Sequence, residues 1–191
     1  MTRQQHVTRF AWGAFVVFTL VGSMFLLGCY PKRITIDVDI ASFLDPSDRI
    51  AHYEAPPGTA EVDYDLAPFE LTIVGRDELR QAEQVDLELE VSLDNLSGTG
   101  DGRFLVFLSD SEESVFITPL VAQIDFALAP GLTSVGTAEV RGDPRVLALF
   151  QQRQMWVGIR LHWAPQDGEA LDGTYTINRL NARVVSNLDL L

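Results

Sequence analysis

Cysteine is almost absent from this chain: Cys29 is the only one in 191 residues. A disulfide needs two, so no intrachain bridge staples the fold, and no set of thiolates is available for a structural zinc site. Positive charge is scarce. Lys32 is the only lysine, and 14 Lys+Arg face 27 Asp+Glu, a net charge of −13 at pH 7. Binding to a phosphate backbone needs clustered basic side chains, so nucleic acid is excluded as a partner. Histidine stops at three, His6, His52 and His162, with no zinc-ligand spacing among them. There is no G-x-S-x-G elbow, no H-E-x-x-H and no phosphate-cradling glycine loop. Ser92, Ser97, Ser109, Ser111 and Ser114 have no local base pattern beside them and read as turn chemistry. The chain therefore reads as non-enzymatic. The alternative left open is a hydrolase whose carboxylates or other groups meet only in the fold.

What the N-terminus does have is an export signal. Arg3 and Arg9 precede the uncharged run Phe10–Leu27, no acid occurs in the first 28 residues, and the run ends in Leu26-Leu27-Gly28-Cys29. A positive start, an apolar middle and a small residue before the cut define such a signal. The cysteine at the cut resembles the lipobox of bacterial lipoproteins. That resemblance implies cleavage before Cys29 by a type II signal peptidase, loss of residues 1–28, and diacylglycerol on the Cys29 sulfur, often with acylation of its new amino group. Leu27 is bulkier than the small residue usual at that place. Two other readings stand beside it. An uncleaved span of 18 residues would be about 27 Å long, against about 30 Å of hydrocarbon, and Gly13, Thr19, Gly22 and Ser23 weaken it. An ordinary secretory signal would leave Cys29 incidental.

The lipoprotein reading divides the chain into a signal (1–28), a lipidated tether (29–33) and a single domain (34–191). It makes the membrane a partner through lipid on Cys29 and places the domain on the extracytoplasmic side of the cell envelope. Tyr30 stands where enteric-type sorting uses Asp for inner-membrane retention, so the outer membrane is favoured in an organism with two. The part beyond the signal carries 12 basic and 27 acidic residues, a net −15. This favours a solvated acidic surface over adhesion to anionic head groups, and it permits divalent cations.

The 163 residues from Cys29 onward suffice for one core, and their pattern is that of strands. Ile34, Ile36, Val38 and Ile40 alternate with Thr35, Asp37 and Asp39. Val85, Leu87, Leu89, Val91 and Leu93 alternate with Asp86, Glu88, Glu90 and Ser92. Met155, Val157, Ile159, Leu161 and Trp163 alternate with Trp156, Gly158, Arg160 and His162. Period two with one wet face is the mark of antiparallel sheets. Arg103–Ser109 is apolar on both faces and suits a central strand. Further strands are predicted at Val115–Thr118, Ile124–Leu128, Thr133–Val140 and Thr174–Val185, the last with a phase change near Arg179 that suggests a bulge. The fold class is all-β, a mostly antiparallel β-sandwich.

One short helix is predicted near 144–153, capped by Asp143, opened by Pro144 and carrying Arg153 at its end. Arg76–Glu83 suggests a further helical turn. Ser42–Glu70, with Pro46, Pro56, Pro57 and Pro68, reads as irregular, and a loop of that length is either functional or partly strand.

Three groups of residues are candidates for binding. Asp94, Asn95 and Asp101 lie in the oxygen- and glycine-rich stretch 94–102, a weak calcium candidate whose spacing also suits a plain hairpin loop. Asp86, Glu88 and Glu90 form an acidic stripe about 6.6 Å between neighbours, too sparse to clasp an ion without an adjacent strand. Trp156, Arg160 and His162 share one strand face, where an indole beside hydrogen-bonding groups suits a sugar ring or peptide; the competing reading buries Trp156 under the helix or a loop. No other cofactor is expected. The functional reading is a lipid-anchored protein with a non-catalytic binding or structural role and a protein or glycan partner in the envelope. The alternatives are a calcium- or carbohydrate-binding module, or the hydrolase named above.

Overall fold

The computed structural model describes residues 32–72, 81–152 and 154–188, with a compact unit from Ile34 to Asn187. Among the described residues, ten strands build two five-stranded antiparallel sheets. They are β1 (Lys32–Asp39), β2 (Ile50–Ala55), β3 (Val62–Asp65), β4 (Phe69–Thr72), β5 (Ala82–Ser97), β6 (Gly100–Ser109), β7 (Ala122–Leu128), β8 (Leu132–Arg141), β9 (Gln154–Pro165) and β10 (Leu171–Leu188). In the first sheet β10 and β5 are central, β8 forms one edge, and β1 and β2 share the other. In the second β9 and β6 are central, β7 forms one edge, and β3 and β4 share the other. The chain crosses between sheets at β2→β3, β4→β5, β5→β6, β7→β8, β8→β9 and β9→β10, which, with β1/β2 and β3/β4 each filling one position, is the eight-position order of a jelly roll.

The alternating sequences dictate this layering. Val85, Leu87, Leu89, Val91 and Leu93 of β5 are all buried, as are Met155, Val157, Ile159, Leu161 and Trp163 of β9. Aromatic pairs lock the sheets face to face. Tyr53 of β2 stacks on Trp163 of β9 with ring centroids 4.2 Å apart, and Phe104 of β6 meets Tyr175 of β10 edge-on at 6.4 Å. Gly136 on β8 is a packing requirement: a Cβ there would fall 2.2 Å from Ile124 and 2.9 Å from Phe126 of β7.

The helix α1 spans Pro144–Phe150, with Asp143 accepting from the Arg145 N–H at 2.8 Å. Val146 and Phe150 are fully buried, and Leu147 and Leu149 pack against the core. It stops at Phe150, short of the predicted 153, because Gln151 caps it and β9 begins at Gln154; Arg153 lies outside the described residues. The predicted bulge is present. Ile177 pairs with Val91 and Arg179 with Glu90, leaving Asn178 as the extra residue.

Two local expectations are corrected, and a third, left open between a functional loop and partial strand, is found to be partly strand. Val115–Ile117 is a 3-10 turn rather than a strand, since its buried Val115 anchors a fold-back instead of a ladder. Most of the expected turn at 76–83 lies outside the described residues, but Ala82 and Glu83 already belong to β5. The stretch 42–70 is mostly regular: it holds the rest of a 3-10 turn (Ile40–Phe43), one helical turn (Pro46–Arg49), β2, β3 and the start of β4. Its prolines cut a sheet edge into short strands rather than abolishing it. Where β1 has left β10 and β2 has not yet joined, Arg49 Nε donates to the Ile177 carbonyl at 3.2 Å.

The connections define two ends. At one, the loops 56–61, 98–99, 129–131 and 166–170 are tied by backbone bonds, Gly58 to Gly168 at 3.0 Å, Gln166 to Thr99 at 2.8 Å and Gly131 to Asn95 at 2.8 Å. The other carries α1 and the segment 110–121.

Candidate functional site

Trp156, Arg160 and His162 all lie on the outward face of β9, as their alternation requires, but they do not form one surface. Gly158 stands between them, and segment 110–121 folds back over it: a Cβ at Gly158 would fall 2.9 Å from both Val115 and Phe116. This leaves Trp156 half-buried on one side, level with Glu70 of β4 and Ser109 of β6. Arg160 and His162 lie on the other side, each facing an acid of β3 through the β3–β9 register.

Arg160 grips Asp65 with two bonds, Nε–Oδ1 at 2.5 Å and Nη2–Oδ2 at 2.8 Å. Its guanidinium lies 5.1 Å from the Phe116 ring centroid and 5.7 Å from that of Phe107. Hydrogen bonding to Asp65 raises its pKa further above the usual arginine value. It therefore fastens the fold-back to the sheet through charge and cation–π contact together. The His162 Nδ1 is 2.7 Å from Asp63 Oδ1, while its Nε2 is buried and has no hydrogen-bond partner among the described residues.

Asp94, Asn95 and Asp101 diverge. Asn95 is buried; its Oδ1 accepts from the Tyr53 hydroxyl at 2.9 Å and its Nδ2 donates to the Gly98 carbonyl at 2.8 Å. Asp94 accepts from Thr133 at 2.6 Å, and Asp101 is exposed. Gly98, at φ +78°, makes the turn between β5 and β6, and a Cβ on it would overlap the Ala170 carbonyl. Burial, with smaller help from Asp172 and Asp94, pushes the Tyr53 phenol up to about 12. Among the described residues no three His, Cys, Asp or Glu side chains are grouped as metal ligands.

The acidic stripe meets arginines of its own sheet. Glu88 is 3.5 Å from Arg179, and Arg141, opposite Asp86 in the ladder, pairs with Glu139. Asp86 accepts from the Gly142 N–H at 3.1 Å, and Asp37 lies 3.2 Å from Arg183.

Two features escaped the sequence. One is a chain of hydroxyls, Ser109 to Ser114 at 2.5 Å and Ser114 to Ser111 at 2.7 Å, which closes the fold-back; Ser109 is buried. The other is an apolar groove of about 350 Å³ between α1 and residues 108–121, lined by Leu108, Thr118, Pro119, Val121, Ala148 and Leu149 among others. The partial apolarity of 115–121 was the available signal, but only the fold shows that it faces α1. Leu26, Leu27, Gly28 and Cys29 lie outside the described residues. Among the described residues no helix is long and apolar enough to cross a membrane.

No family model matches the chain. No curated protein matches it either. Among solved structures it is similar to that of infectious bursal disease virus, Gx strain, at TM-score 0.47 and 9% identity, covering 81% of this chain and 38% of that one. It is similar also to a carbohydrate-binding module specific for non-crystalline cellulose, at 0.36 and 12%, covering 69% of this chain and 71% of the module. A third likeness is to an arabinose-bound α-L-arabinofuranosidase, at 0.36 and 9%, covering 83% and 23%. The chain thus spans well under half of the viral protein. These likenesses are to distant β-rich proteins and decide nothing about chemistry.

Proposed function

We propose that this protein is a lipid-anchored module of the cell envelope whose jelly roll has a binding or structural role and does not catalyse. The observation that carries the reading is the sequence Leu26-Leu27-Gly28-Cys29 placed only three residues ahead of β1 at Lys32. A cysteine so placed supplies an anchor, and the sandwich beyond it supplies a rigid body to hold at a membrane surface. The side chains with most chemical potential support the non-catalytic half. Arg160 and His162 are held by Asp65 and Asp63, and Asn95 is held by Tyr53 and Gly98. Mass spectrometry of the membrane fraction tests the anchor. It is expected to find residues 1–28 absent and Cys29 acylated; a Cys29→Ser protein that is still processed and membrane-bound would refute it. A hydrolase screen on the purified protein tests the second half, and turnover abolished by changing one Asp, Glu or His in an intact fold would overturn it.

A narrower reading rests on Trp156, a half-buried outward indole beside exposed Glu70: a glycan subsite. A glycan array comparing the protein with Trp156→Ala tests it; equal signals from both would remove it.

A further inference from the structure

We propose that the α1 end of the sandwich rests on the bilayer, with the apolar groove between α1 and segment 108–121 in contact with zwitterionic lipid, and that the opposite loop end points away from the membrane. This inference rests on acylation of Cys29.

The chain itself sets the orientation. Ala41 and Ser42 border the same hollow as Thr176–Asn178 of β10, and Asp37 lies beside Arg183. β1 therefore runs antiparallel to β10, and Ile34 lies level with the last residues of that strand. Ser186 of β10 pairs with Ala82 of β5, whose carbonyl accepts from Gln151, the C-cap of α1, at 2.9 Å. Ile34 thus belongs to the α1 end. Cys29 precedes it by five residues, a reach of at most about 18 Å when fully extended. An acylated Cys29 holds that end, and not the loop end, against the membrane.

The surface at that end suits the role. Ile117 is 84% exposed and Leu120 36% exposed. They flank Thr118, Pro119 and Val121 in the chain, which line the groove together with exposed Ala148 and half-buried Leu149, and the groove wall is mainly apolar. Apolar side chains gathered at one end of a domain serve interfacial membrane contact when an anchor supplies proximity. The charges beside it are Asp110, Glu112 and Glu113, exposed, and Arg145, which Asp143 pairs. Anionic lipid would be repelled there, so the occupant is zwitterionic.

The full-length protein, purified with its anchor and reconstituted into phosphatidylcholine vesicles carrying spin-labelled lipid, tests this. Because acylation blocks Cys29, single substitutions Ile117→Cys, Leu120→Cys and Ala148→Cys accept an environment-sensitive fluorophore specifically, as do Thr59→Cys and Glu169→Cys at the loop end. Ile117, Leu120, Ala148 and Glu169 are exposed and Thr59 is half-buried in a loop, so the fold tolerates the changes. The labels at 117, 120 and 148 are expected to be blue-shifted and quenched several-fold more strongly than those at 59 and 169. Equal quenching at both ends, or stronger quenching at 59 and 169, overturns the proposal. Mass spectrometry of the same samples separates the two failures. An unacylated Cys29 removes the anchor and this inference with it. An acylated protein with Ile117 in water removes this inference alone.

Discussion

Replacing Tyr53 by Phe probes the junction on which the loop end depends. The change keeps the ring that stacks on Trp163 at 4.2 Å and deletes only the hydroxyl. That hydroxyl donates at 2.9 Å to Asn95 Oδ1, and both residues are buried. The amide of Asn95 stays fixed by its Nδ2 bond to the Gly98 carbonyl, so its oxygen loses its partner without gaining water. An orphaned buried acceptor costs about 1–3 kcal/mol, a large part of a typical domain stability of about 5–15 kcal/mol. The same hydroxyl has a second signature. The Tyr53 phenol is pushed up to about 12 in the folded state, against about 10 when unfolded. Its folded pKa is raised, so its stabilising share is complete below pH 10 and is lost as pH rises from 10 through 12. Two pKa units set an upper limit of about 3 kcal/mol on that loss. Burial also raises the Tyr175 phenol, so part of the alkaline slope survives the substitution. Urea unfolding followed by tryptophan fluorescence at pH 7.5 and pH 11 is the assay. Tyr53→Phe should be the less stable protein at the lower pH and should lose less between the two. A variant within about 0.5 kcal/mol of the parent at pH 7.5, the range of inconsequential surface changes, would refute the burial argument. An unchanged alkaline slope would refute the titration argument.

Other changes test other parts of the fold. Leu89→Asp places a carboxylate in the middle of the core, where Leu89 is 3% exposed, and should unfold the domain at a cost of several kcal/mol; Glu88→Ala on the opposite face should move the melting temperature little, and equal melting temperatures would show the faces of β5 to be reversed. Gly136→Val drives a side chain into Ile124 and Phe126 and should destabilise by about 1–3 kcal/mol, measurable by urea midpoint. Arg160→Ala removes the bidentate grip on Asp65 and the cation over Phe116; limited proteolysis should then cut within 110–121 faster, while Arg145→Ala should leave that rate unchanged.

The layering was legible because it depends on single residues in strict alternation. Val85 to Leu93 and Met155 to Trp163 each assign a strand and its buried face without reference to any partner. The bulge at Asn178 was legible for the same reason, since one extra residue inverts the phase of everything after it. Asp143-Pro144 located α1 because both the cap and the ring act within one turn. The stretch 42–70 was only half legible. Its prolines signalled interruption, but β2, β3 and β4 are strands by virtue of ladders to β10 and β9, and those partners lie about a hundred residues away. Val115–Ile117 misled because a three-residue apolar run carries no period, and its partners, Gly158 and Arg160, are set by the fold.

The candidate residues show where local pattern stops being informative about chemistry. Alternation placed Trp156, Arg160 and His162 on one face, and they do share it. Whether a face is a surface depends on what crosses it, and here Phe116 lies over Gly158. A glycine among outward residues was itself a clue, since an open face has no need of one, whereas a covered face must make room. The outward apolar residue Phe107 was a second clue, because β6 is apolar on both sides only where something packs on its outer side. Together they show that Arg160, the most chemically expressive residue on the strand, positions the loop above it through Asp65 and Phe116. Segment 110–121 is thereby set at the end of the sandwich with Ile117 and Leu120 turned outward. The sheet face and the apolar end are parts of one arrangement: the pairing that closes the first is what presents the second.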